Sequence, residues 1–285
     1  MNYRFTLLIN FVFIIQLSFS QNKTELPFIE YLLAKEEYDA ALKLLSNIKT
    51  SNLPIDYVDS LEYLKGWTNY SIKKLELSSY HLKKVSRSSK LYAKSQLFAS
   101  YNNLHLGKNE EAYNILSSFH PKERKDSIIT TFLKSGASLL KRDFDSYNRN
   151  KKQLNNSYYA IKKESLELEA IYTDFTTHKK KSATLAGIMS AIIPGSGKIY
   201  LGKTGQGISA LLLVGGLGMV TAENFVKKGP EKFSTIFFAS AFTTFYIGNI
   251  YGTIKLSKIS TQEYNSYQDA KILFNIHIPL RNLYN

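Results

Sequence analysis

Between Phe233 and Ile254 the chain runs 22 residues without a charged side chain. Wound as a helix at about 1.5 Å per residue, such a stretch reaches about 33 Å, enough to cross about 30 Å of hydrocarbon. A second apolar stretch, Gly207 to Ala222, has 16 residues and spans only if Gln206, Glu223, Asn224 and Phe225 lie among the headgroups. Val226 to Lys232 separates the two as a polar turn holding Lys227, Lys228, Pro230 and Lys232. The arrangement reads as a transmembrane hairpin with spans of about 206–225 and 233–254. The competing reading is a hairpin buried in a soluble core.

Twelve of the fifteen glycines lie between Gly187 and Gly252, so the texture of the chain changes near residue 180. Gly248 with Gly252 forms a GxxxG pair, and Gly218 with Ala222 is a second small pair four residues apart. In lipid such faces let helices approach closely, because dispersion and not water exclusion must hold them together. Ahead of the hairpin, residues 183–193 predict a short helix. Its small residues (Ala183, Ala186, Gly187, Ser190, Ala191) share one face, and Leu185, Ile188, Met189, Ile192 and Ile193 share the other. It is too short to span alone and ends at Pro194-Gly195, as a re-entrant or interfacial element would.

The N-terminus predicts a secretory signal peptide over residues 1–20, with Arg4 in the charged start, an apolar run to Phe19 and small Ser18 and Ser20 before Gln21. An uncleaved anchor is the alternative. Residues 21–178 then predict helices throughout, with apolar residues at three- and four-residue spacing and breaks at Pro27, Pro54, Pro121 and Gly107. A small residue opens a second-helix motif at Ala41, Ser79, Ala112 and Ser146. Gly66 stands twelve before Ser78, and Ser100 twelve before Ala112. Small residues suit the crossing point of a helix pair, where a larger side chain would force the two apart. The unit over about 125–154 departs from the pattern, with Gly136 out of place, and 156–176 reads as a capping helix. A helix is also expected through Asp269 to Phe274 in the tail 257–285.

With a period near 34 residues, 21–178 resembles tetratricopeptide repeats. The motif Pro194, Gly195, Gly197, Tyr200, Leu201, Gly202, Lys203 and Gly207 resembles TM2-type hairpin domains and the PGxGxxYxGK membrane segments of bacterial envelope proteins. These resemblances imply an all-α chain: a TPR-like helical-repeat domain (21–178), then a membrane module (179–256) made of a transmembrane helical hairpin with a short preceding helix. They imply no chemistry.

The net charge of +14 suggests nucleic acid until it is located. Residues 21–178 carry 24 basic and 19 acidic side chains, and 182–285 carry nine and four, so the excess is spread out. Lys73, Lys74, Lys83, Lys84, Arg87, Lys90 and Lys94, interleaved with Tyr70, Tyr80 and Tyr92, read either as a solvated face or as a site for an acidic partner. Without cysteine there is no disulfide frame, thiolate metal site or Cys nucleophile. Gly197 to Thr204 matches GxxxxGK[ST], yet Ile199, Tyr200 and Leu201 stand where a phosphate loop wants small residues. His81, His105, His120, His178 and His277 form no HExxH site. The sequence therefore nominates no catalytic residue, cofactor or metal. It predicts a tethered adaptor in the bacterial inner membrane, its repeats in the periplasm on a protein or peptide partner and its hairpin in the bilayer, with no nucleic acid. The alternative is a module acting in membrane-protein assembly, lipid contact or transport. A signal peptide leaves Lys179 to Lys181 outside, against the positive-inside rule, where they would bind lipid phosphates.

Overall fold

A computed structural model describes residues 25–51, 53–154 and 158–284, and among these the chain is all-α, without strands. The signal peptide expected over residues 1–20 falls outside the described residues. Helix α1 covers 25–34. Then follow α2 (Tyr38–Asn47), α3 (Ile55–Ser71), α4 (Leu75–Leu82), α5 (Tyr92–His105), α6 (Asn109–Ser118), α7 (Arg124–Leu140), α8 (Phe144–Gln153) and α9 (Tyr159–Thr177). Four more complete the chain: α10 (Ala183–Ile192), α11 (Ser196–Tyr200), α12 (Thr204–Lys228) and α13 (Phe233–Tyr284). The described residues form two compact units, one within 25–172 with 272–284, the other of 173–271.

In the first unit the helices pair as first and second members, α1 with α2 through α7 with α8. From α2 to α8 each packs on the next, and the first helices α3, α5 and α7 also pack on one another in turn. One backbone device makes every pair turn back. Glu36, Lys73, Gly107 and Arg142 all have left-handed backbone, with φ of 61°, 65°, 73° and 59°. At each the following amide reaches back to the last turn (Glu37 to Leu32, Lys74 to Asn69, Lys108 to Asn103, Asp143 to Ser138), at 2.8–2.9 Å. That is the Schellman ending, which satisfies carbonyls a helix end would leave bare.

Counted from those turns, the small positions of the second helices are Ala41, Ser78 and Ala112, each five residues on and each fully buried. Ser79, assigned to this register by sequence spacing, lies one residue off. It is buried as well, but it takes a hydrogen bond from Asn103 of α5 at 2.9 Å, whereas Ser78 donates to the Gly66 carbonyl at 2.7 Å. An added Cβ on Gly66 would lie 2.6 Å from Leu82 Cγ. In the fourth pair the equivalent position is not Ser146 but Tyr147, buried and stacked on Tyr172 at 5.0 Å. A ring in place of a small side chain is the physical reason this pair departs from the pattern.

The tail does not stand alone. Residues 257–284 continue α13, and 272–284 belong to the first unit. Ile272, Asn275, Ile276, Pro279 and Leu280 are buried, the stripe of an amphipathic helix, while Phe274 and Arg281 face outward.

Candidate functional site

Residues 272–284 seat on the first helices of three successive pairs. From α3, Tyr70 hydrogen-bonds His277 Nε2 through its hydroxyl. Tyr101 of α5 stacks on the His277 ring at 4.6 Å. Gly136 of α7 lets the helix approach: a Cβ there would stand 2.5 Å from Ile276 Cγ2. The Tyr284 hydroxyl binds Asp126, at the start of α7. The glycine that looked out of place is therefore the seat of a docked helix. Burial holds the His277 imidazole below its ordinary range, and Arg281, Lys73 and His105 push the same way. The sequence carried the i, i+3, i+4, i+7, i+8 signal at Ile272 to Leu280, but not which surface would receive it.

The basic stretch does not form one free face. Lys83 pairs with Glu111 at 2.5 Å, and Lys84 lies over the Tyr80 ring at 4.0 Å and beside Glu62 at 3.9 Å. Burial raises the Glu62 carboxyl, but the hydrogen bond from His81 at 2.8 Å, with Lys65 and Lys84 nearby, outweighs it and holds the group below its usual range. Lys94 sits over Trp67 at 4.3 Å, and burial lowers its ammonium pKa. These contacts tie α3, α4, α5 and α6 together. Arg87, Lys90, His120 and Lys122 line a cleft of about 380 Å³ between the 87–93 and 118–126 segments.

In the second unit the glycine motif forms a tight knot. The small face of α10 packs on α13: Ser190 and Thr253 hydroxyls meet at 3.0 Å, Asn249 donates to the Ser190 carbonyl at 3.4 Å, and Tyr246 donates to the Ala191 carbonyl at 2.5 Å. A Cβ on Gly187 would stand 2.8 Å from Ile254. At Pro194-Gly195 the chain reverses, with Gly195 at φ 84°. A Cβ on Gly195 would overlap the Gly207 carbonyl oxygen, and one on Gly197 the Ala186 carbonyl oxygen. Gly207 meets Ile199 in the same way at 2.5 Å. Gly202, at φ 86°, ends α11 with a further Schellman turn, Lys203 amide to Lys198 carbonyl at 2.9 Å. Tyr200 returns to the start of α10, where its hydroxyl accepts from the Ser182 amide at 3.4 Å.

This geometry disposes of the nucleotide-loop match. The amides of Lys198, Ile199, Leu201, Gly202 and Lys203 all donate to nearby carbonyls, and that of Gly197 donates to the Ser190 hydroxyl at 3.2 Å. None is turned toward a phosphate. Of the small pairs on the hairpin, Gly218 meets Phe242 at 3.1 Å from its would-be Cβ, but nothing among the described residues lies within 4 Å at Gly248 or Gly252. Among the described residues the expected GxxxG contact is therefore not made. The contact runs instead through Asn249 and Thr253, one position along the helix, and the close approach is supplied by Gly187 of α10.

Helices α12 and α13 are both long and apolar enough to cross a membrane, and only 11% of each apolar window is buried. Leu212, Met219, Phe233 and Ile247 lie open, as do Ile188 and Ile192 of α10. A soluble core would have covered them. No three His, Asp or Glu side chains among the described residues cluster as a metal site.

The chain matches no protein-family model, and no solved structure matches it. Over 34 residues it is 56% identical to an uncharacterized protein of Methanocaldococcus jannaschii, a stretch that covers 12% of this chain and 34% of that protein.

Proposed function

We propose that the chain is a membrane-tethered helical-repeat adaptor of the bacterial cell envelope, binding a protein partner through its TPR-like repeats. The observation that carries this reading is the seat on α3, α5 and α7, a surface already fitted to an amphipathic helix by Gly136, Tyr70 and Tyr101. Stacked repeats use their continuous faces to grip peptides. Because residues 272–284 hold that seat, a partner helix of the same pattern takes it by displacing them. The open apolar surfaces of α10, α12 and α13 support a bilayer as the surroundings of the second unit. With a signal peptide at residues 1–20, the repeats lie in the periplasm and the module in the inner membrane.

A second reading has its own observation. Three glycines, Gly195, Gly197 and Gly207, admit no side chain, and such close backbone packing beside a short broken helix suits a module that itself acts on membrane proteins or lipids.

In-cell crosslinking separates the two, comparing the full chain, the full chain with Ile276→Asp, and residues 180–285 alone. The adaptor predicts one protein captured by the full chain through α3 and α5, captured several-fold more when Ile276→Asp releases the seat, and missed by the module. Capture of that protein by 180–285 alone would overturn the adaptor. Loss of capture with Gly197→Ala, the first unit still folded, would then assign the work to the knot.

A further inference from the structure

Lysines gather at one end of the second unit, and they are left unpaired. Lys181 accepts the Ser257 hydroxyl on its carbonyl at 3.4 Å, and its ammonium lies 5.7 Å from the Tyr200 ring centre and 3.7 Å from a Cβ built on Gly202. Those contacts set Lys181, and with it Lys179 and Lys180, beside two stretches of backbone, one flanked in sequence by Lys198 and Lys203 and the other by Lys255 and Lys258. Among the described residues none of these seven makes an ion pair, whereas Lys227 at the opposite turn pairs with Glu223 at 2.7 Å. A cleft of about 250 Å³ opens in this end, lined by His178, Lys179, Lys180, Lys181, Leu201 and the Ser257–Tyr264 face of α13. Lys258 lines a shallower recess on the other side of Lys180 and Lys181. No carboxylate lines either. Of the two acids nearby in sequence, Asp174 accepts from the Tyr264 hydroxyl at 2.9 Å and from Gln268, and Glu263 is exposed.

The position matters as much as the charge. The cleft begins where the uncharged stretch of α13 ends, at Ile254, and where α10 starts, with Leu185, Ile188 and Tyr251 exposed on its apolar side. Unpaired cations directly above open apolar surface match a molecule with an anionic head and hydrocarbon tails. We propose that this end of the module binds the headgroup phosphate of an anionic phospholipid, with Lys179, Lys180 and Lys181 as its main contacts. The inference rests on the bilayer placement proposed above and is independent of the adaptor role. It also supplies a reason for lysines on the side where the positive-inside rule does not want them: each Lys near an anionic surface gains about fivefold in binding.

The test uses the full chain purified in mild detergent and offered equal phosphatidylglycerol and phosphatidylcholine, with retained lipid measured by mass spectrometry. Carbonate extraction of the same protein from cells reports membrane placement separately. Phosphatidylglycerol is expected to be enriched. Lys179→Gln/Lys180→Gln/Lys181→Gln should cut that enrichment at least about tenfold, and Lys227→Gln/Lys228→Gln/Lys232→Gln should not. A photoactivatable phosphatidylglycerol on the unmutated protein should label residues 178–181 or 257–264, a readout that does not depend on a variant folding. Equal retention of both lipids, labelling elsewhere, or unchanged enrichment in the first variant overturns the proposal. Displacement of the lipid by millimolar inorganic phosphate shows a site for the soluble ion and overturns it too.

Discussion

Four residues that look unrelated, Glu36, Lys73, Gly107 and Arg142, hold the same left-handed position at the end of a first helix. Only one is glycine, the residue that adopts this backbone without a steric cost. At Gly107 nothing lies within 4 Å of an added Cβ, so a substitution there feels the backbone alone. Gly107→Ala should therefore destabilise the first unit by about 1 kcal/mol, and Lys73→Gly should stabilise it by about 0.5 kcal/mol once the larger freedom of the unfolded chain is counted. Thermal melts of the full chain in detergent, with hydrogen exchange across α3 to α6, measure both. Equal signs at the two positions would remove the shared turn as the explanation. At Gly195 and Gly197 the constraint is of another kind, since backbone carbonyls already fill the space of a Cβ.

At the scale of elements, the docked end of α13 carries a pH dependence in His277. This segment lies beyond the apolar stretch, and burial with Arg281, Lys73 and His105 lowers the imidazole pKa. The undocked segment keeps an ordinary value of about 6.5. Between the lowered docked value and about 6.5, the undocked state binds more protons, so docking weakens as pH falls through this window and is unaffected above it. The loss is at most about 1.4 kcal/mol for each pH unit. Hydrogen exchange over 272–284, corrected for intrinsic rates, should show protection falling from pH 7.5 to pH 5.5 in the unmodified chain and staying level in His277→Gln. An identical fall in both would move the effect to another group.

For the whole molecule, the charges at the two ends of the proposed membrane module bear on how it is oriented. The chain enters the module through residues 173–182 and leaves its apolar part at Lys255, and the Lys181–Ser257 contact puts both at one end. That end has seven lysines, while the turn has Lys227, Lys228 and Lys232 with Glu223 and Glu231. Charge alone would turn the richer end inward, and a cleaved signal peptide turns it outward. With lipid phosphates engaging the lysines, the outward arrangement is expected. An alkaline phosphatase fused after residue 285 should then be active in cells, and one inserted at Gly229 inactive. The reverse pattern would make residues 1–20 something other than a cleaved leader and place the repeats in the cytoplasm.

The sequence by itself determined the all-α class, the two apolar helices, the helical pairs and the glycine motif. Each of these follows from local spacing or from the length of an uncharged run, which physics reads without knowing what lies across the fold. It placed Ser79 one residue out of register because two adjacent serines are equally small, and only the Gly66 carbonyl separates them. It read Gly248 and Gly252 as a packing face because spacing says that a helix can be approached, not from which side. Only the tertiary structure decided that Ile276 fills the room above Gly136 and that His277 finds Tyr70 from 207 residues away. It alone also set Lys181 beside the stretches flanked by Lys198 and Lys203 and by Lys255 and Lys258, because long-range contacts depend on how complementary surfaces meet, and no single stretch of chain contains both halves.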